Sequence, residues 1–218
     1  MRGSCIHTKP IRHHHTNVLL KSCFIAVLCL CIGGCAGLID RHFKHTLDTS
    51  QGTIQLSGLR EKVTVSRDVF GIPFIQAKSK EDLAMAIGYI HAADRLTQML
   101  GMKLVSQGRL SEMAGPSVLN LDIYMRTMNL RSVSEKLYKN ISPENVSFLE
   151  SYCDGINAYI AQHQDRLPPG LAMSGYTPEA WKPIDSIMIF SLVNLALSFN
   201  LHEEIAILSV AQALGPEN

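Results

Sequence analysis

The segment from Ile187 to Leu197 constrains this chain more than any other, because only Ser191 and Asn194 interrupt its apolar residues and no side of a helix is left polar. Such a helix is expected to be buried on all sides. Few residues follow it, so its cover comes either from the rest of this chain or from a partner's surface, and the sequence leaves both open.

The remaining pattern is a short β section followed by helices. Thr53–Leu56 and Lys62–Ser66 alternate apolar and polar residues, and Asp68-Val69-Phe70-Gly71 offers turn chemistry before Ile72–Ala77. A small antiparallel sheet is the expectation. Ser79 precedes Glu81 and Asp82 as a helix cap, and Leu83, Ile87 and Ile90 share a face of a helix expected to reach about Met102. Ser142-Pro143-Glu144 starts a second helix on which Val146, Leu149, Cys153, Ile156 and Ile160 recur at helical spacing, which makes Cys153 a core residue. Leu167-Pro168-Pro169-Gly170 opens a loop lasting to Pro183, and Glu203–Leu214 forms a last amphipathic helix stopped by Gly215 and Pro216. The fold class is α+β.

The head of the chain differs from the body. Arg2, Lys9, Arg12 and Lys21 stand within residues 1–35 with no acidic residue, and five of the six cysteines lie there too. A disulfide scaffold and a cysteine-based zinc site are therefore excluded for the body, whose slightly acidic balance gives no bulk reason to bind nucleic acid. Ser22–Gly34 is an apolar run of 13 residues, against about 20 for a bilayer-spanning helix. It ends Ile32-Gly33-Gly34-Cys35, which resembles a bacterial lipobox. The expected organisation is a lipoprotein-type signal peptide at 1–34, a tether at 35–51 beginning with lipidated Cys35, and a folded region at 52–218. An ordinary cleaved signal and an uncleaved anchor remain alternatives.

Chemistry that the chain could perform unaided is hard to find. It contains no G-x-S-x-G elbow, phosphate-binding loop, G-x-G-x-x-G or H-E-x-x-H pattern. His202-Glu203-Glu204 lacks the second histidine of a zinc protease motif and reads as a polar helix start. His91 stands among Ile90, Ala92 and Ala93 and is expected to be packed and hydrogen-bonded rather than a general base.

Several collinear strings carry a resemblance. Val65-Ser66-Arg67-Asp68-Val69-Phe70-Gly71-Ile72-Pro73-Phe74-Ile75-Gln76-Ala77 is followed by Gly88-Tyr89-Ile90-His91-Ala92-Ala93-Asp94-Arg95-Leu96-Thr97-Gln98-Met99 and Gly108-Arg109-Leu110-Ser111-Glu112. Asp122 with Arg126, Asp154-Gly155-Ile156-Asn157-Ala158 and Pro178-Glu179-Ala180-Trp181-Lys182-Pro183-Ile184-Asp185-Ser186 complete the series. In this order they resemble the N-terminal, α-chain region of the penicillin acylase (penicillin amidase) family, with Phe74 where family members often have histidine. Read as side chains, Arg67, Asp68, Asp94, Arg95, Arg109 and Glu112 are expected to pair at packing junctions, and Trp181 to fill the junction between loop and core.

The resemblance implies an N-terminal-nucleophile hydrolase of αββα architecture, cut from one precursor into an α chain and a β chain that begins with the nucleophilic serine. No catalytic residue is then expected in this chain, and its partner is the β chain. The reaction implied is cleavage of linear N-acyl amides, such as β-lactam side chains or acyl-homoserine lactones, and the lipobox-like Cys35 adds the expectation that it takes place at the periplasmic face of a bacterial membrane. By the same resemblance Glu204 is one oxygen ligand of a structural calcium ion shared with the β chain, and Leu195 and Phe199 are candidates for the acyl pocket. No organic cofactor is implied. A non-catalytic lipoprotein or interaction module, and the product of a truncated gene, are the alternative readings.

Overall fold

The structure is a computed structural model, and it describes residues 52–198 and 200–215, apart from the side chains of Leu201 and His202. Residues 1–34, expected to be a signal, residues 35–51 with Cys35, expected to be a tether, and Phe199 lie outside the described residues.

Strands β1 (Thr64–Arg67) and β2 (Pro73–Gln76) pair antiparallel, with Val65 opposite Ile75 and Ser66 opposite Phe74. Gly71 turns the chain between them at a φ of 79°, which L side chains rarely adopt. Thr53–Leu56 is not a strand, contrary to its alternation. Its backbone is engaged by a helix side chain instead: Gln162 donates Nε2–H to the Gln55 carbonyl at 3.2 Å, and Leu56 packs against the core.

Helix α1 (Lys80–Gln107) starts where the cap predicts, with Ser79 Oγ accepting from the Asp82 N–H at 3.0 Å. It passes Met102 by more than a turn, because the polar residues Lys103 and Ser106 are buried with partners instead of marking a solvent-facing end. Gly108 then closes it in the left-handed conformation.

Residues 111–139, to which periodicity assigns no element, form α2 (Ser111–Ala114), a 3₁₀ turn (Pro116–Val118), α3 (Leu119–Met128) and α4 (Leu130–Lys139). Asp122 ties this corner together. Its carboxylate accepts from the Leu110 N–H at 2.7 Å and the Ser111 N–H at 2.9 Å, while Arg126 Nε donates to the Gly108 carbonyl at 2.8 Å.

Helix α5 (Pro143–Gln162) is capped by Ser142 and packs along α1. Leu96, Leu100 and Leu104 meet Cys153, Ile156, Tyr159 and Ile160 there, so Cys153 is a core residue as its spacing predicts. The 167–183 segment is not all loop, since Pro169 at a first helical position starts α6 (Pro169–Ser174) and buries Leu171. Trp181 is buried at the junction beyond it. Asn157 clips the Trp181 backbone on both sides, accepting from its N–H at 2.7 Å and donating to its carbonyl at 2.9 Å.

The last two helices are α7 (Pro183–Leu197) and α8 (Leu201–Leu214). Within this chain α7 is not buried on all sides. Ile187, Met188, Ser191 and Leu192 are covered, whereas Phe190, Val193 and Leu197 face solvent. Along α8 every described side chain is exposed, including Ile205, Ile207, Leu208, Val210 and Leu214. No described helix is long and apolar enough to cross a membrane.

Candidate functional site

Of the residues singled out for pocket and metal, Leu195 lies near the end of α7 and Glu204 near the start of α8, while the start of α7 is fixed by a buried ion pair that the sequence does not announce. Lys103 of α1 and Asp185 of α7 are both almost fully buried, with Nζ 2.9 Å from Asp185 Oδ2. The ammonium also donates to the Ala180 carbonyl at 3.1 Å and lies 5.4 Å from the Trp181 ring centre. Asp185 is satisfied in turn by Gln107 Nε2 at 2.8 Å and the Lys182 N–H at 2.9 Å. Every polar group of the pair thus has a partner, the condition under which a buried charge pair is tolerated. The result sets the start of α7 against the end of α1.

At the far end of α7, Leu195 is half-buried against Met125, Leu130 and Leu192, a packing position at the edge of a small second core. Ser198 caps the helix through its own Oγ, which donates to the Asn194 carbonyl at 2.8 Å. Glu204 sits exposed in the first turn of α8, where Asn200 Nδ2 donates to its Oε1 at 2.7 Å. That carboxylate suits a hard cation, but calcium takes about 6–8 oxygens. The described residues include no group of three His, Cys, Asp or Glu that could hold a metal ion.

Of the charged residues in the family-like strings, Arg67, Asp94, Arg109 and Glu112 pair as expected, whereas Asp68 bonds its own turn and Arg95 has no ion pair among the described residues. Arg67 forks Asp94, and Arg109 forks both Glu112 and Glu179, with N–O distances of 2.7 Å to each at Nη2. These guanidinium hydrogen bonds hold Glu112 and Glu179 below their usual carboxylate range. Asp82 is held low by the Arg60 N–H, with Ser79 and the Glu61 N–H adding to it against the opposing effect of burial. For Asp122 burial is the largest influence and would raise it, but hydrogen bonds from Ser111 and Leu110 outweigh burial and leave it lowered.

Of the two reactive side chains Cys153 and His91, Cys153 alone lies in the core. Burial pushes the Cys153 thiol up to about 12, so the thiolate nucleophile is absent near neutral pH. His91 is hydrogen-bonded as expected, with Nδ1 3.1 Å from the Tyr152 hydroxyl and the two rings edge to face, but it is exposed rather than packed into the core. Burial raises that phenol to about 12, which keeps it protonated beside the imidazole.

Comparison with known proteins gives a consistent picture. The sequence model of the family described as Penicillin amidase matches residues 62–218. An acyl-homoserine lactone acylase QuiP of Pseudomonas aeruginosa is 44% identical over 186 residues, which are 85% of this chain and 22% of that protein. Penicillin acylase 2 proenzyme of Pseudomonas sp. strain SE83 is 32% identical over 146 residues, 67% of this chain and 19% of that one. The chain spans about a fifth of the length of the curated relatives it matches. Among solved structures, a thermostable penicillin G acylase from Alcaligenes faecalis superposes with a TM-score of 0.58 at 26% identity, over 72% of this chain and 84% of that one. The same region is thus most of a short chain in that solved structure.

Proposed function

Because this chain belongs to the penicillin amidase family, we propose that it is the N-terminal, α-chain part of an amidohydrolase that cleaves linear N-acyl amides, with acyl-homoserine lactones the preferred class. The 44% identity with an acyl-homoserine lactone acylase, continuous over most of the chain, is the observation that carries this reading. The bare apolar sides of α7 and α8 support it as well, since a β chain would cover them.

In this proposal the reaction is divided between two chains. The β chain brings a first-residue serine, whose own α-amine acts as base because such an amine titrates near 7.7–8. The described residues supply the scaffold, through the Lys103–Asp185 pair and the Asp122 and Arg109 clamps. Leu195 and Phe199 add apolar wall to the acyl pocket. Glu204 gives one carboxylate to a calcium site completed by the β chain, so calorimetry on the assembled enzyme should record weaker calcium binding after Glu204→Ala, and unchanged binding rejects the assignment. Residues 1–34 act as the signal, and lipid on Cys35 tethers the enzyme at the periplasmic face. Mass spectrometry of the membrane fraction tests that tether, and an intact Met1 terminus contradicts it.

The direct test is a chimaera in which residues 62–218 replace the matching stretch of the Pseudomonas aeruginosa relative. Release of homoserine lactone from a long-chain acyl substrate is expected. A folded chimaera without that activity overturns the proposal.

A further inference from the structure

Val69 and Phe70, at the tip of the β1–β2 hairpin, are the two most exposed large apolar side chains among the described residues, at 94% and 86%. Their turn is not a loose one. Asp68 Oδ1 accepts from the Phe70 N–H at 2.9 Å and from the Ile72 N–H at 2.8 Å, and the Gly71 N–H donates to the Asp68 carbonyl at 3.0 Å. From beneath, Arg67 reaches Asp94 of α1 with Nη1 at 3.0 Å and Nη2 at 2.7 Å, and Nη1 also donates to the Gly71 carbonyl at 2.8 Å. Two separate polar devices therefore hold apolar residues out in water.

The strand behind the tip continues the pattern. Alternation along β2 turns Pro73 and Ile75 toward the protein and leaves Phe74 outside, with Ile72 on the same side. No third strand joins either edge among the described residues, and a two-stranded sheet alone is marginal in water.

We infer that the hairpin is a docking wedge: Val69 and Phe70 enter an apolar socket on the β-chain portion of the acylase, and the same surface covers Ile72 and Phe74. The inference rests on the acylase reading above. About four fifths of the Pseudomonas aeruginosa relative lies outside the matched stretch and offers the surface for such a socket. A lipid surface fits the tip less well, because membrane-inserting segments are ringed by Lys and Arg, whereas Asp68 stands beside this tip and Asp94 neutralises Arg67. A braced apolar anchor loses little conformational freedom on binding, which suits it to the centre of an interface.

The experiment compares the Val69→Ser/Phe70→Ser double variant in two settings, the chain alone and the 62–218 chimaera with the Pseudomonas aeruginosa relative. Alone, the thermal midpoint should not move, since both side chains are already in water. In the chimaera, the yield of active enzyme should fall at least tenfold, and Phe70→Leu should restore most of it. Photo-crosslinking from benzoylphenylalanine at position 70 should reach the portion derived from the relative. An active chimaera that is indifferent to the two serines overturns the docking wedge alone. A folded chimaera that is inactive with Val69 and Phe70 intact overturns the acylase reading and the wedge with it. Retention of the isolated chain on lipid vesicles, lost in the double variant, also overturns it in favour of a membrane contact.

Discussion

Gly88 of α1 and Gly155 of α5 meet where the two longest helices cross, each against the other helix's backbone. A Cβ on Gly88 would stand 2.0 Å from the Tyr152 carbonyl oxygen, and one on Gly155 would stand 1.9 Å from the Met85 carbonyl oxygen. Only hydrogen fits at either point.

Gly155→Ala should therefore force the main helix pair apart. Overpacking costs typically about 1–3 kcal/mol and occasionally more, and the backbone on the far side cannot yield as a side chain would. Destabilisation of roughly 3 kcal/mol is expected, a fall of about 6–12 °C in the thermal midpoint. Gly101→Ala is the control on α1, because its Cβ would meet only the flexible Met113 tip at 3.6 Å. Calorimetry should find that variant as stable as the parent or more so.

Breaking the buried pair should be as severe. Lys103→Met leaves Asp185 charged and shielded from water, at a cost of about 3–5 kcal/mol. Adding Asp185→Asn should recover part of that loss, which a chemical denaturation series on the three proteins can measure. Equal stability of the single and double variants would show that the charge pair is not the origin of the effect.

The acid side of the stability profile follows from the lowered carboxylates. Asp82 and Asp122 sit below their ordinary value of 3.8, and Glu112 and Glu179 below 4.5. A group depressed in the folded state contributes stability that is complete above its unfolded value and lost as pH falls through its folded one. Unfolding midpoints should be flat above about pH 5 and decline below pH 4.5. Asp82→Asn should lower the plateau and flatten the decline, and an unchanged slope would contradict the role given to this carboxylate.

Tyr176 offers a test of opposite sign. Its hydroxyl is buried without a hydrogen-bond partner among the described residues. Removing an unsatisfied buried group is neutral or favourable. Tyr176→Phe should leave the isolated chain as stable or raise its stability by up to about 1 kcal/mol, whereas a clear loss by thermal melting would mean that the hydroxyl is satisfied.

What the sequence makes legible is local. Ser79 and Ser142-Pro143 announce their helices because the cap bonds within three residues, and Gly71 announces its turn. Residues 111–139 hide their helices because Leu119, Ile123, Tyr124 and Val133 are exposed in this chain, which blurs any buried stripe. Thr53–Leu56 misleads in the other direction, since alternation without a pairing strand makes no sheet. The end of α1 was also hidden, because Lys103 looks like a surface residue until Asp185 is brought to it across the fold. For α7 the apolar pattern foretells more cover than this chain provides.

The measurement closest to the central claim is turnover by the isolated 36–218 segment, set beside the chimaera on one panel of acyl-homoserine lactones and chromogenic N-acyl amides. An internal serine lacks the free α-amine that the mechanism requires, and Cys153 is held as a buried thiol. The account predicts no hydrolysis by the segment, together with binding of a hydrophobic dye through the bare sides of α7 and α8, and hydrolysis by the chimaera. Turnover by the segment alone, abolished by one substitution within it, would contradict the account.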